Sequence, residues 1–150
     1  MPEPVFIDAN VVMYAVGPEH PNRAGSVDFL REASAYPGSS HSSAEVLQEL
    51  LHVYLRRQEP AAAANAISAL VEILRDRIVS LTTADVIRAA SLTAVPGLQA
   101  RDRIHFAVME RLGISRIVST DRAFDSLRGI TRLDPADFAT WKQTVFPGAS

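Results

Sequence analysis

The chain has 150 residues, 47% of them apolar and 21% charged, with a net charge of −2 and no cysteine. That length suits one globular domain whose core needs no staple, and the missing thiols exclude disulfides, zinc–thiolate centres and iron–sulfur clusters. A charge balance this close to neutral gives, taken alone, no electrostatic footprint for nucleic acid.

Met1-Pro2-Glu3-Pro4 is not the basic start of a signal peptide, and no apolar run approaches the about 20 residues needed to span a bilayer. A soluble, cytoplasmic protein is therefore expected. Val5-Phe6-Ile7 has the pattern of a short buried parallel strand that stops at Asp8. Ala9 to Ala15 predicts a helical turn closed by Gly17-Pro18, and Pro21 opens a helix to Ala35 with Val27, Phe29 and Leu30 turned inward. A strand near Ser39–His41 is suggested only by its position, because its residues are poor strand formers. Ser42 or Ser43 caps a helix to about Gln58 carrying Val46, Leu47, Leu50, Leu51, Tyr54 and Leu55 at helical spacing.

Pro60 suits the first turn of a helix through about Arg77, with Ile67, Leu70, Val71 and Leu74 on its apolar side. Ile78 to Leu81 reads as a strand, and Thr82 or Thr83 caps a helix to Val95, stopped by Pro96-Gly97. Ala100 to Leu112 is helical with Gly113 as terminator, and Arg116 to Ser119 is a strand. Asp121 to Leu127 predicts a short helix, Thr131 to Leu133 a last strand, and Pro135 to Lys142 a last helix. Strands alternating with helices and no hairpin imply an α/β domain, a mostly parallel sheet of about four to five strands between helices. The expected organisation is one domain over residues 1–150, with a core at about 4–142 and a tail, 143–150, free to fray.

Ligands of an open parallel sheet bind beyond the carboxyl ends of its strands, at the topological switch point. Asp8 and Asp121 follow two predicted strands directly. Asp102 sits in the first turn of a helix, where a carboxylate is favoured, and Glu49 sits within a Leu-rich helix. Each acid has a plainer role: Asp8 and Asp121 as caps, Asp102 as a helix-dipole residue, Glu49 as a solvated side chain. Four converging carboxylates cannot all remain ionised without a counter-charge, and a set of hard oxygens selects Mg²⁺ or Mn²⁺. Such an ion suits phosphodiester hydrolysis. Fourteen of the fifteen basic residues are Arg, Lys142 being the exception. This reads either as codon bias or as guanidiniums that grip phosphates.

The motifs Phe6-Ile7-Asp8-Ala9-Asn10, Ser43-Ala44-Glu45-Val46-Leu47-Gln48-Glu49-Leu50, Ala100-Arg101-Asp102-Arg103-Ile104-His105 and Ser119-Thr120-Asp121-Arg122-Ala123-Phe124 resemble, in order and spacing, those of PIN-domain ribonucleases. The closest likeness is to the VapC-type toxins of toxin–antitoxin pairs, from about residue 4 to residue 138. The resemblance implies a three-layer α/β/α sandwich with Asp8, Glu49, Asp102 and Asp121 as the catalytic and metal-binding quartet. It places Asn10 and Thr120 where the family keeps small polar residues near the metal. Glu45 competes with Glu49 for the second position, one helical turn away, and Glu49 is preferred because it follows the Val-Leu-Gln run. Asp125 is expected to lie outside the ligand set.

The resemblance implies a Mg²⁺- or Mn²⁺-dependent endoribonuclease acting on single-stranded or structured RNA, with water oriented by a carboxylate such as Glu49 and products carrying a 5′-phosphate and a 3′-hydroxyl. Arg101, Arg103 and Arg122 flank the acids and are candidates for backbone phosphates, or equally for structural ion pairs. The implied partners are a VapB-type antitoxin and a second copy of the chain in a homodimer. Tyr14, Phe29, Leu51, Tyr54 and Leu55 are candidate apolar contacts for the antitoxin, although core packing is the plainer fate for most.

Three other readings compete. Glu49-Leu50-Leu51-His52 and Asp102-Arg103-Ile104-His105 carry the spacing of a di-metal carboxylate bundle, but such a site needs four facing helices. His52 is then a surface residue and His105 a packed one. An Asp8 phosphotransfer domain lacks the second acid two residues on. A non-catalytic RNA- or protein-binding module with the same fold is disfavoured by the retained acids.

Overall fold

Val5–Ile7 forms strand β1 with all three side chains buried, and Asp8 breaks the run by capping helix α1, Ala9–Val16. The computed structural model describes residues 2–92, 95 and 97–149. Helix α2 spans Arg23–Ala35, β2 Ser40–Ser43, α3 Ala44–Arg56, α4 Pro60–Leu74 and β3 Ile78–Val79. Helices α5, Thr83–Ser91, and α6, Ala100–Leu112, precede β4, Arg116–Val118, β5, Thr131–Leu133, and α7, Phe138–Val145. Short 3-10 turns occupy Arg75–Arg77, Arg122–Ser126 and Pro135–Asp137.

The five strands form one parallel sheet in the order β3-β2-β1-β4-β5, flanked by the helices. The chain lays β2 and β3 on one side of β1, then crosses to place β4 on the other. The switch point therefore lies between β1 and β4, and there the carboxyl ends of both strands open a crevice. Among the described residues, no helix is long and apolar enough to cross a membrane.

Several element ends differ from the sequence expectation. Strand β2 is Ser-His-Ser-Ser, yet Ser40, Ser42 and Ser43 are buried, and the Ser42 hydroxyl donates to the Ile7 carbonyl at 2.9 Å. Pairing on both sides overrides weak intrinsic propensity. Helix α3 stops at Arg56 and α4 at Leu74, where Arg75 adopts a positive φ of 55° and starts a 3-10 turn. Helix α5 ends at Ser91, not Val95, and Pro96, its expected stop, lies outside the described residues. Helix α6 has the predicted bounds, with Gly113 left-handed at φ 71°. Leu51, Leu55 and Val71, expected inward, are 42%, 50% and 41% exposed.

The tail expected to fray packs instead. Phe146 is fully buried against Phe29, Tyr36 and Phe138, and Trp141 donates its indole N–H to the Asp134 carbonyl at 2.8 Å. Gly25 lets α2 approach this corner, since a Cβ there would lie 1.8 Å from the Pro135 carbonyl oxygen.

The α5–α6 pair is braced by a two-pronged ion pair in which Arg111 meets both Asp85 oxygens at 2.9 Å. Asp85 also closes a capping box with Thr82. The Arg111 hydrogen bonds hold the Asp85 carboxyl down at about 2, against burial, which works the other way. A depressed folded-state pKa adds stability that is complete above the ordinary value of 3.8 and is lost as pH falls towards 2. Because the guanidinium is partly exposed, Arg111→Gln is expected to lower stability by only about 1–2 kcal/mol at pH 7. Paired thermal melts should show that gap closing between pH 4 and pH 2, and a gap unchanged at pH 2 would remove the ion pair as its cause.

Candidate active site

Asp8 is placed by the end of β1 and is only 4% exposed. Its Oδ1 accepts from the Ala9 N–H at 2.8 Å, and its Oδ2 accepts from the Ser119 hydroxyl at 2.6 Å and the Asn10 amide at 3.2 Å. Ser119, fully buried at the end of β4, also accepts from the Asp121 N–H at 3.0 Å and from Asn10 at 3.2 Å. The Thr120 N–H returns to Asn10 Oδ1 at 3.2 Å. Asn10 thus laces the end of β1 to the end of β4. Thr120 contributes its backbone to this lacing.

Asp102 is 4% exposed in the first turn of α6, where its Oδ2 accepts from the Gln99 N–H at 3.2 Å. Asp121 caps the following 3-10 turn, with Oδ1 accepting from the Ala123 N–H at 2.9 Å. The capping roles open to these acids are therefore real, and they also orient the carboxylates. Glu49, from α3, meets the Arg101 guanidinium at 3.5 Å and the His105 imidazole at 3.3 Å. Among the described residues no hydrogen bond or ion pair ties Glu45 to this group, so the contacts favour Glu49 over its neighbour.

Two of these carboxylates, Asp8 and Asp102, feel their acidic neighbours. Burial pushes the Asp8 carboxyl above the usual carboxylate range, with Glu49 adding to the rise and His105, Ser119 and the Ala9 N–H opposing it. Burial also raises Asp102, opposed by the Gln99 N–H and reinforced by Asp121 and Asp8. This is the crowding that calls for a counter-charge.

Beside the acids lies a residue that the sequence reading took only as a packed one. His105 is fully buried, with Nε2 at 3.3 Å from Glu49 and 3.7 Å from Asp8. Burial alone would lower its pKa, but the Glu49 hydrogen bond and the charges of Asp8, Glu49 and Asp102 outweigh it and hold the imidazole above its ordinary value. Its Nδ1 is buried with no hydrogen-bond partner among the described residues. The sequence signal was the Asp102-x-x-His105 spacing, which puts both side chains on one helix face. It had been attached to the di-metal bundle, a reading that the parallel sheet removes. Ser119 is the second residue missed, because its bond to Asp8 spans 111 positions.

One ligand atom each from Asp8, Glu49 and His105 lies within 4.8 Å of the others, a spacing that fits a single cation. The carboxylate oxygens of the set suit a hard divalent cation. Of the flanking guanidiniums, Arg101 faces the site through Glu49. Arg103 turns away and donates to the Leu92 and Leu98 carbonyls. Arg122 is exposed. Asp125 lies outside the cluster, ion-paired with Arg132 at 3.0 Å.

Comparison with known proteins gives the family and the fold. A family profile described as PIN domain matches residues 5–130. The chain is 35% identical over 130 residues to ribonuclease VapC13 of Mycobacterium tuberculosis, covering 86% of this chain and 98% of that one. It is 37% identical over 126 residues to ribonuclease VapC23 of the same species, covering 81% and 96%. Among solved structures, VapC20 of M. tuberculosis, titled a sarcin-ricin loop cleaving toxin, superposes with a TM-score of 0.66 at 20% identity, over 81% of this chain and 93% of that one. FitAcB from Neisseria gonorrhoeae gives 0.64 at 14% identity, over 89% and 99%. A toxin–antitoxin complex from Klebsiella pneumoniae gives 0.60 at 14%, over 87% and 97%. The structural likenesses carry the fold, and the sequence relatives carry the family. This chain belongs to the PIN-domain family, among its VapC-type members.

Proposed function

We propose that the chain is a metal-dependent endoribonuclease of the toxin type, hydrolysing RNA phosphodiester bonds at the crevice between β1 and β4. The observation that carries this reading is the gathering of Asp8, Glu49 and the buried His105, from three separate segments, within 4.8 Å of one another at the strand ends, with Asp102 near enough to Asp8 to feel its charge. Its sequence relatives are named ribonucleases, which supports the same reaction here.

Asp8, Glu49 and Asp102, with Asp121 at the rim, are the residues to hold Mg²⁺ or Mn²⁺. Such an ion supplies Lewis-acid polarisation of the phosphoryl oxygen and acidifies water. Glu49 is the best placed to take the proton of the attacking water, being 12% exposed where the other cluster acids are deeper or committed to capping. Attack at phosphorus breaks the P–O3′ bond, leaving a 5′-phosphate and a 3′-hydroxyl. Ser119 and Asn10 fix the Asp8 carboxylate, and Arg101 stands at the mouth to receive a phosphate. His105 packs behind Asp8 and Glu49 and orients the Glu49 carboxylate through their 3.3 Å contact.

The same reading assigns a VapB-type antitoxin as the silencing partner and the cytoplasm as the place of action, and a homodimer as the working form. Val86 and Ile87 on α5, 45% and 66% exposed, are apolar residues suited to a subunit contact, and sedimentation of the purified chain reads the mass. The central test is cleavage of mixed single-stranded RNA with Mn²⁺ or Mg²⁺. Cleavage is expected with either metal and not with EDTA, and its absence under every divalent metal would sink the nuclease.

A further inference from the structure

Beside the carboxylate cluster lies a cleft of about 280 Å³ that the hydrolytic chemistry does not use, lined by Asn10, Met13, Tyr14, Pro18, His20 and Arg57 among others. Asn10 is shared by both, since its amide is bonded to Asp8 at 3.2 Å. The cleft therefore begins one side chain away from the reacting centre. Its outer wall is an aromatic pair: the Tyr14 and His20 rings stand 4.6 Å apart, tilted by 34°.

The pair is held in place. His20 Nδ1 accepts from the Asn22 N–H at 3.0 Å, which leaves the ring proton on Nε2. Arg23 holds the loop before it, donating to the Gly17 carbonyl at 3.1 Å and meeting Glu19 at 3.4 Å. Gly17 itself approaches α1 closely, since a Cβ there would come within 2.8 Å of the Met13 carbonyl oxygen. Arg57, exposed just after α3, also lines the cleft and lies over the Tyr54 ring at 5.8 Å.

We propose that this cleft is a nucleobase subsite, in which a base next to the scissile phosphate stacks on the Tyr14–His20 pair while Arg57 faces the neighbouring phosphate. The inference rests on the nuclease reading and adds to it how the strand is gripped. A chain with net charge −2 and a carboxylate cluster at its reacting centre gains little affinity from its overall field. Stacking on an aromatic platform is independent of that field and tolerates any base. A guanidinium lining the same cleft then fits the phosphate that follows a stacked base.

The test is binding of a short fluorescent single-stranded RNA with Ca²⁺ replacing Mn²⁺, together with a cleavage assay in Mn²⁺. Tyr14→Leu and the exposed His20→Ala are each expected to weaken binding, Tyr14→Leu by about tenfold, whereas Tyr14→Phe keeps the ring and stays within about twofold of wild type. An abasic nucleotide at one position should weaken wild type by about tenfold and leave Tyr14→Leu no weaker than before, a coupling that a merely structural role for Tyr14 does not produce. If wild type cleaves RNA while neither variant differs from it and no abasic position couples to Tyr14, the subsite is overturned and the cleft passes to a protein partner. If wild type neither binds nor cleaves RNA under any divalent metal, the nuclease reading falls and the subsite with it.

Discussion

Asp8→Asn is expected to lower RNA cleavage by about 10³-fold or more while leaving the melting temperature unchanged or slightly higher. The two effects have one origin. Asp8 is buried at the switch point, and loss of solvent is the largest influence on its carboxyl, pushing its pKa up. A carboxamide of the same shape keeps an oxygen for the Ala9 N–H, while its NH2 replaces the oxygen that accepted from Ser119 and Asn10, so the Ser119 hydroxyl turns to accept and the Asn10 bond is lost. It also removes the burden of a desolvated anion crowded by Glu49 and Asp102. In the folded state that relief offsets the lost Asn10 bond, whereas a cation held at this point loses the charge that binds it.

Glu49→Gln should behave similarly in cleavage, and Glu45→Gln should retain activity, because only Glu49 contacts His105 and Arg101. Labelled single-stranded RNA in Mn²⁺, followed beside thermal melts of each protein, makes the comparison. Full activity in Asp8→Asn would reject the assignment, and loss in Glu45→Gln with retention in Glu49→Gln would exchange the two glutamates.

The largest expected effect on stability comes from the far end of the chain. Phe146→Ala should destabilise the protein by about 3–5 kcal/mol, a fall of roughly 10 °C or more in melting temperature. Phe146 is fully buried, and its ring lies 5.8 Å from Phe29, 5.7 Å from Tyr36 and 6.2 Å from Phe138. Truncation would open a cavity among rings carried by α2 and α7, which cannot collapse without shifting both helices. Phe146→Leu fills most of that volume and should recover more than half of the loss. Denaturant melts of the two variants measure this directly. A wild-type midpoint in Phe146→Ala would mean that the tail frays and does not support the core.

What the sequence determined by itself was local and periodic. Apolar runs bounded by Asp8, by Ser119 and by proline or glycine placed the strands and helices in order, and α6 was readable to the residue because Gly113 punctuates it. The parallel sheet followed from alternation, and strand ends located the acids. These features depend on neighbours within one or two helical turns, which is the range over which side-chain spacing carries information. The tertiary structure decided the rest. It buried a Ser-rich β2, docked Phe146, turned Arg103 away from the crevice and set Glu49 against His105 and Arg101.

It also enlarged the site. His105 and Ser119 joined Asp8 through contacts that bridge α6, β4 and β1, and no periodicity encodes a hydrogen bond across 111 positions. The physical reason is that spacing fixes which face a residue occupies, while the packing of elements fixes what that face meets.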